Sequence, residues 1–140
     1  MIFLCGCGGE PRPADLPALH PCFITINVDG KPLEGASVDL HAETPSKWFA
    51  FGITNQNGLA VMKTQSKYLG VISGKYVVTV IKEGNDPNWT ADPDRPDLDI
   101  PVVSFVAAQY ADPTRSPLQC VVEEGKNQFQ FNLEPPNEGK

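Results

Sequence analysis

Acid–base and nucleophilic chemistry has few residues to work with in this chain. Its 140 residues include only two histidines, His20 and His41, and neither stands in a catalytic motif. The sequence carries no phosphate-binding loop and no group of cysteines and histidines with metal-ligand spacing. Its serines have no His–Asp constellation beside them, so a catalytic triad cannot be argued. We therefore predict a protein that is not an enzyme and has no cofactor.

Basic charge and long apolar runs are also scarce. Lys and Arg number 11 against 17 Asp and Glu, which makes the formal net charge −6. Nucleic acid needs a basic surface, so it is excluded as a partner. No stretch reaches the roughly 18 apolar residues of a membrane-spanning helix. Attachment to a membrane would therefore need an anchor other than a spanning helix.

The sequence predicts a lipid anchor at the N-terminus. The segment Leu4-Cys5-Gly6-Cys7 resembles the lipobox of bacterial lipoproteins, in which an apolar residue and two small ones precede the lipidated cysteine. The resemblance implies that Cys7 carries acyl chains, each buried CH₂ contributing ~0.8 kcal/mol to anchoring. Only six residues precede Cys7, so residues 1–9 would be the remnant of a signal peptide. We expect a lipid-anchored protein of the bacterial cell envelope, at the outer membrane or the periplasmic face.

The next segment and the end of the chain read as flexible. Residues 10–21 hold four prolines in twelve positions, which suits a semi-rigid tether and neither a helix nor a central strand. Residues 135–140 are polar and read as a flexible tail. The predicted folded domain is therefore 22–134.

Within that domain, short apolar runs alternate with Gly, Asn and Pro turns. They predict an all-β fold, an antiparallel β-sandwich of about seven strands, and the runs are 22–28, 36–40, 48–54, 59–62, 75–82, 118–123 and 128–133. In the third run we predict Phe49, Phe51 and Ile53 on the inner face. Asn57-Gly58 is a hairpin signal, and the last two runs should form a second hairpin. The run 75–82 is apolar on both faces, which indicates a central strand.

One long insertion interrupts the pattern at residues 84–117. Such an insertion is where a sandwich carries its individual function, so we expect the contact surface there. Its second half is apolar enough to pack as one helical turn or an irregular strand. Its first half holds five aspartates that form a weak Ca²⁺ candidate, namely Asp86, Asp92, Asp94, Asp97 and Asp99.

Two cysteines fall on predicted inner faces, Cys22 in the first run and Cys120 in the sixth. In an oxidising compartment they could form a disulfide that closes a loop of roughly a hundred residues. Two buried free thiols packing as small apolar groups are the alternative. The sequence leaves both open, because it does not say whether the two strands are neighbours.

Three motifs carry a resemblance to the carboxypeptidase regulatory-like, transthyretin-like sandwich domains: DGKPLxGAxV from Asp29, GxTNxxG from Gly52 and GxYxVxV from Gly74. YADPxxSPL from Tyr110 and EGxNxFxFxL from Glu124 extend the match. The resemblance implies a prealbumin-like fold and an accessory or interaction role. It implies no chemistry, because the shared residues are turn glycines, a proline and core positions. Transthyretin-like hydrolases use several histidines and a terminal Tyr-Arg-Gly-Ser, which this chain lacks.

A carbohydrate-binding module is the main alternative to a scaffold with an unknown protein partner. Sugars stack on exposed aromatic rings, and four rings stand outside the strongest core positions: Trp48, Trp89, Tyr68 and Tyr110. Sugar binding requires two coplanar, solvent-facing rings. A scaffold predicts that the same rings pack against the ends of the sandwich.

Overall fold

The computed structural model describes residues 13–44, 46–86 and 89–136, and the predicted lipidation site Cys7 lies outside them. The described residues form fourteen strands and one 3₁₀ helix. In chain order the strands are β1 (Leu19–His20), β2 (Cys22–Val28), β3 (Lys31–Pro32), β4 (Ser37–Ala42), β5 (Ala50–Ile53), β6 (Leu59–Val61), β7 (Lys63–Thr64), β8 (Tyr68–Leu69), β9 (Val71–Ile72), β10 (Gly74–Ile81), β11 (Glu83–Asn85), β12 (Val102–Ser104), β13 (Gln119–Val122) and β14 (Asn127–Leu133), and the 3₁₀ helix (Ala108–Ala111) precedes β13.

Two main sheets share one core, so the prediction of an all-β sandwich with a long insertion is confirmed. One sheet has six strands in the order β13-β10-β4-β5-β7-β8. The other has the order β14-β2-β3, with β6 also paired to β2. The pairs in both sheets are antiparallel except β14 with β2, which run parallel from Asn127 opposite Cys22 to Leu133 opposite Val28. The predicted central strand, β10, lies between β13 and β4.

Alternating side chains build the core. On β2, Ile24 and Ile26 have no solvent exposure, and on β10 neither do Val78 and Val80. Burying such a side chain contributes about 1.5–3 kcal/mol relative to leaving it exposed. Because successive strand residues point to opposite faces, each of these strands also presents an outer row to solvent.

The predicted inner face of the third run is wrong. Ala50, Gly52 and Thr54 point inward, and Phe49, Phe51 and Ile53, which alternate with them, point outward. A Cβ on Gly52 would lie 2.8 Å from Sδ of Met62 and 3.0 Å from the carbonyl oxygen of Val61. The two sheets converge at this point, and there is no room for an aromatic ring between β5 and β6.

Both predicted hairpins are wrong in the same way, because each turn carries the chain from one sheet to the other. After the Asn57-Gly58 turn, β6 pairs with β2 and not with β5. The turn itself is tight, since Oδ1 of Asn55 accepts hydrogen bonds from the N–H groups of Asn57 and Leu59. Likewise β13 pairs with β10, whereas β14 pairs with β2.

The predicted tether is wrong from residue 13 onward. Leu16 is buried, and β1 pairs with β9 in an antiparallel two-stranded sheet. Asp15 also forms an ion pair with Lys47. Residues 13–21 of the predicted tether therefore belong to the folded domain.

The two halves of the insertion behave differently. Residues 91–100 are exposed throughout, beyond a short pairing of β11 with β12. The second half packs as predicted, with the 3₁₀ helix and the buried side chains of Val106 and Tyr110. Hydrogen bonds tie it to both sheets: the Ser116 hydroxyl donates to Val78 C=O over 2.6 Å, and Ala107 N–H donates to Glu134 C=O over 3.2 Å. This half therefore closes the side of the sandwich between β10 and β14.

Candidate interaction surfaces

Three apolar side chains stand in a line on the outer face of β5 and its N-terminal approach. We call Phe49, Phe51 and Ile53 the apolar row. Phe49 is 64% exposed and Ile53 is 56% exposed, while Phe51 is half-buried. The row exists because the small residues between its members face the narrow gap between the sheets. Lys63 stands opposite Phe51 on β7, so the row has a cationic neighbour on one side.

The apolar row continues into a shallow groove of about 370 Å³. Phe51, Ile53, Leu59 and Val61 supply its apolar walls, and Lys63 stands at its rim. Leu59 and Val61 lie on the outer face of β6, so the groove bridges the two sheets where they converge. An exposed apolar surface of this kind marks an interaction site more often than an isolated apolar residue does.

On the other side of the apolar row lies a polar trio formed by Asp39, His41 and Thr79. Nε2 of His41 lies 2.8 Å from Oγ1 of Thr79, and Asp39 is the cross-strand neighbour of Thr79. Burial raises the pKa of the Asp39 carboxyl, and the nearby His41 partly opposes that rise. The contact between His41 and Thr79 joins β4 to β10 and is of a kind that stabilises sheets.

The trio does not make a catalytic site of known type. It lies on the outer face of paired strands, and the backbone N–H groups of β4 and β10 are engaged in strand pairing. An acyl-transfer site would need free N–H donors beside the hydroxyl, aimed at a developing oxyanion. The other histidine, His20, lies on β1 in a separate two-stranded sheet.

The four predicted sugar-stacking rings are not brought together. Tyr110 is 4% exposed, and its hydroxyl accepts a hydrogen bond from the N–H of Glu134 over 3.1 Å. It is a core residue, so its proposed part in an aromatic platform is wrong. Tyr68, on the edge strand β8, is half-buried.

The two tryptophans lie at opposite ends of the sandwich. Trp48 precedes β5, whose Ala50 pairs with Leu40 towards the C-terminal end of β4. Trp89 follows β11, which leaves the other end of the sheet where Ile81 pairs with Ser37. A strand rises about 3.3 Å per residue, so the length of the sheet separates the two rings. Both are half-buried, and they do not form a single stacking surface.

The aspartates of the insertion are spread along exposed turns. The carboxylate of Asp92 accepts a hydrogen bond from the N–H of Asp94 over 2.9 Å, which is local turn chemistry. In residues 13–44, 46–86 and 89–136 there is no group of three His, Cys, Asp or Glu side chains placed to hold a metal ion. The same ranges contain no helix long and apolar enough to span a membrane.

Cys22 and Cys120 are free, buried thiols, 1% and 5% exposed, on opposite sheets of one core. Tyr76 stands opposite Cys120 on β10 and donates its hydroxyl to the carbonyl of Ile72 over 2.6 Å. Burial, and after it the neighbouring Cys120, raise the pKa of Cys22 to about 12. Burial also raises the pKa of Cys120 to about 11. Since the thiolate is the reactive form, neither thiol is a nucleophile at neutral pH.

Sequence reasoning missed the apolar row, although a signal for it was present. Ala50, Gly52 and Thr54 are small residues at alternate positions of one strand. Small side chains at alternate positions of a strand indicate that this face of the strand packs closely against another backbone. Large apolar side chains alone do not show which face of the strand points to the core. The predicted contact surface on the insertion therefore has a better-formed rival on β5 and β6.

No protein-family model and no curated protein sequence matches this chain. Among solved structures, the chain is similar to a crystal structure of BcpA*(D312A), the major pilin subunit of Bacillus cereus. The two share 13% sequence identity with a TM-score of 0.46, and the match covers 84% of this chain. This chain spans 30% of the length of the pilin chain.

Proposed function

We propose that this chain is a non-catalytic β-sandwich scaffold of the bacterial envelope that binds a partner protein through the apolar row. The observation that carries the proposal is the exposure of Phe49 and Ile53 on the outer face of a paired strand, next to a groove that spans both sheets. Aromatic side chains are enriched at protein interfaces, and soluble monomers rarely keep contiguous apolar patches uncovered. The apolar row therefore replaces the insertion as the proposed contact surface.

The anchor and the family belong to the same proposal. Lipidation at Cys7 rests on the lipobox-like residues that precede it. Membership of the carboxypeptidase regulatory-like sandwiches rests on the turn and core motifs, of which the first opens with a left-handed turn at Asp29 and Gly30 (φ 54° and 80°). Acylation is tested by mass spectrometry of the N-terminal peptide after expression in a bacterium. Cys7→Ala should abolish the acyl group and Cys5→Ala should leave it in place.

The binding proposal is tested with a photo-crosslinking amino acid placed at single positions and activated in the native envelope. Positions 49 and 53 should capture the same partner, and Phe51→Asp should abolish capture from both. Leu98 and Ile100 offer matched controls, because they are exposed apolar residues of the insertion. Capture from positions 98 and 100 instead of 49 and 53 would place the contact on the insertion and refute the apolar row. Capture from none of the four positions would refute a partner protein at either surface.

A further inference from the structure

Among residues 13–44, 46–86 and 89–136, the last strand, β14, has a strand partner along one edge only. In β14 the odd-numbered residues direct their backbone groups to β2, since Asn127 N–H donates to Pro21 C=O and Leu133 C=O accepts from Asp29 N–H. Backbone groups of successive strand residues alternate in direction, so the even-numbered residues point away from β2. Glu134 confirms the parity, because its C=O accepts from Ala107 N–H and its N–H donates to the Tyr110 hydroxyl on that side.

At this edge the backbone N–H and C=O groups of Gln128, Gln130 and Asn132 have no strand partner among the described residues. Within the part of the chain that the structure describes, β14 pairs with β2 alone. The side chains of all three are exposed. The free edge begins after the turn at Gly125 and stops at Glu134, where the insertion covers it. It is long enough for a short strand from outside the molecule.

This edge lacks the features that normally keep edges apart. Natural sheets protect their edges with lysine, proline, bulges or inward-pointing charges. The β14 sequence, Asn-Gln-Phe-Gln-Phe-Asn-Leu, has no charged residue, no proline and no glycine. Its inward side chains Phe129 and Phe131 are only half-buried, so the core beneath this edge is incompletely covered. An uncharged, regular edge of this kind, in which Asn and Gln alternate with Phe, is suited to pairing with another strand.

The sequence of the edge is complementary to itself when one copy is turned antiparallel about Gln130. In that register Gln130 faces Gln130, Gln128 faces Asn132, and Phe129 faces Phe131 of the second copy. The outward-pointing backbone groups then meet as hydrogen-bonded pairs, each of which exchanges two N–H···O=C bonds. The pairing ends where Gln128 faces Asn132, because the outward backbone groups of Glu134 are already bonded to the insertion.

We infer that β14 pairs with β14 of a second copy of this chain, antiparallel about a two-fold axis at Gln130, and joins two sandwiches into one dimer. The axis makes the interface closed, because each copy has used its free edge once the dimer has formed. The two half-buried phenylalanines of each copy become covered by those of the other. The apolar row lies on the opposite sheet, so dimer formation and partner binding are separate properties.

The register is tested by disulfide trapping in the full chain with Cys5→Ser and Cys7→Ser. Residues in a hydrogen-bonded antiparallel pair have Cα atoms about 5.5 Å apart, a separation that a disulfide spans. Gln130→Cys should cross-link two copies under mild oxidation. Gln128→Cys and Asn132→Cys should not do so singly, but should cross-link when the two single variants are mixed. Equal cross-linking at all three positions, or none at 130, would overturn the register.

The dimer itself is tested by sedimentation equilibrium of the unmodified chain of 15.2 kDa. A mass of twice that value is expected at high concentration, falling to the monomer on dilution. Gln130→Pro removes the free N–H without touching the bonds to β2, and it should give a monomer at all concentrations. Gln130→Ala keeps the N–H and should still dimerise. A second measurement needs no variant. Hydrogen exchange at the backbone amide of Gln130 in the unmodified chain should become slower at high protein concentration, because pairing in the dimer protects this N–H. A monomer in the unmodified chain, or a dimer that survives Gln130→Pro, would overturn the proposal.

Discussion

The hydroxyl of Ser116 donates a hydrogen bond to the backbone carbonyl of Val78 over 2.6 Å, in the interior of the fold. Val78 is a fully buried residue of β10, and Ser116 is buried near the end of the insertion. The bond holds the returning chain against the central strand just before β13 begins. The insertion is thus part of the sandwich at this end and a solvent-exposed loop at its other end.

Ser116→Ala should destabilise the fold by about 1–2 kcal/mol, because it leaves a buried carbonyl without one of its hydrogen-bond donors. Urea unfolding measures the change. Thr114→Ala is the control, since Thr114 is exposed, its hydroxyl bonds to Asp112 at the surface, and the loss of that bond should have little effect. Equal destabilisation by both variants would mean that the buried Ser116–Val78 bond contributes no more to the free energy of unfolding than the surface bond of Thr114.

Gly52→Ala should cost about 1–3 kcal/mol, because the added methyl group overlaps Met62 and the Val61 backbone. The change shifts the urea midpoint without altering the dependence of the unfolding free energy on urea. A double-mutant cycle with Met62→Ala isolates the side-chain part of the clash. The two substitutions should be less than additive. Strict additivity would show that Met62 is not what the methyl group meets.

Asp39→Asn should stabilise the protein at neutral pH. Burial raises the pKa of this carboxyl above its usual 3.8, so the folded state holds the proton more tightly than the unfolded state. Its ionisation therefore disfavours folding once the pH has risen through the folded pKa, and the penalty vanishes below 3.8. Thermal unfolding of wild type and variant across that range measures it. Asp97→Asn, on the exposed loop, is the matched control, and a gain at pH 7 that persists unchanged at pH 3 would contradict this origin.

Protein isolated from an oxidising compartment should carry a disulfide between Cys22 and Cys120. The bond would form before folding buries the two thiols: one hydrogen leaves each thiol, and a cellular disulfide-exchange protein accepts the electrons. The thiols face the same region of the core from opposite sheets. Alkylation in denaturant without reductant should leave Cys22 and Cys120 unmodified. After reduction, the same reagent should modify both thiols. Cys22→Ala should expose Cys120 to alkylation without reductant. Modification of both thiols in the unreduced wild type would show that they remain free.

The sequence predicted the strands well where one face is apolar and the other polar. Ile24 and Ile26 alternate with Thr25 and Asn27, and the burial follows that pattern. The predicted inner face was wrong on β5, where large apolar residues occupy one set of alternate positions and small residues occupy the other. Hydrophobicity alone placed the phenylalanines inside, but the spacing between the sheets decided the outcome in favour of Ala50 and Gly52.

The pairing of strands was less predictable than their positions. A tight turn such as Asn57-Gly58 fixes the local chain reversal but not which sheet the next strand joins. That choice depends on contacts far apart in sequence, as between β6 and β2. The polar trio was missed for the same reason, since His41 and Thr79 are neighbours only because β4 and β10 pair.

The parallel pairing of β14 with β2 also governs when this protein can fold. The side chain of Asn127 donates to the carbonyl of Pro21, 106 residues earlier in the chain. The first long strand therefore has no neighbour on that side until nearly the whole polypeptide is available. Folds dominated by such distant contacts form slowly, because the closure entropy comes before the contacts that offset it. The outer edge of β2 therefore stays without its partner strand until the last residues of the domain have been synthesised.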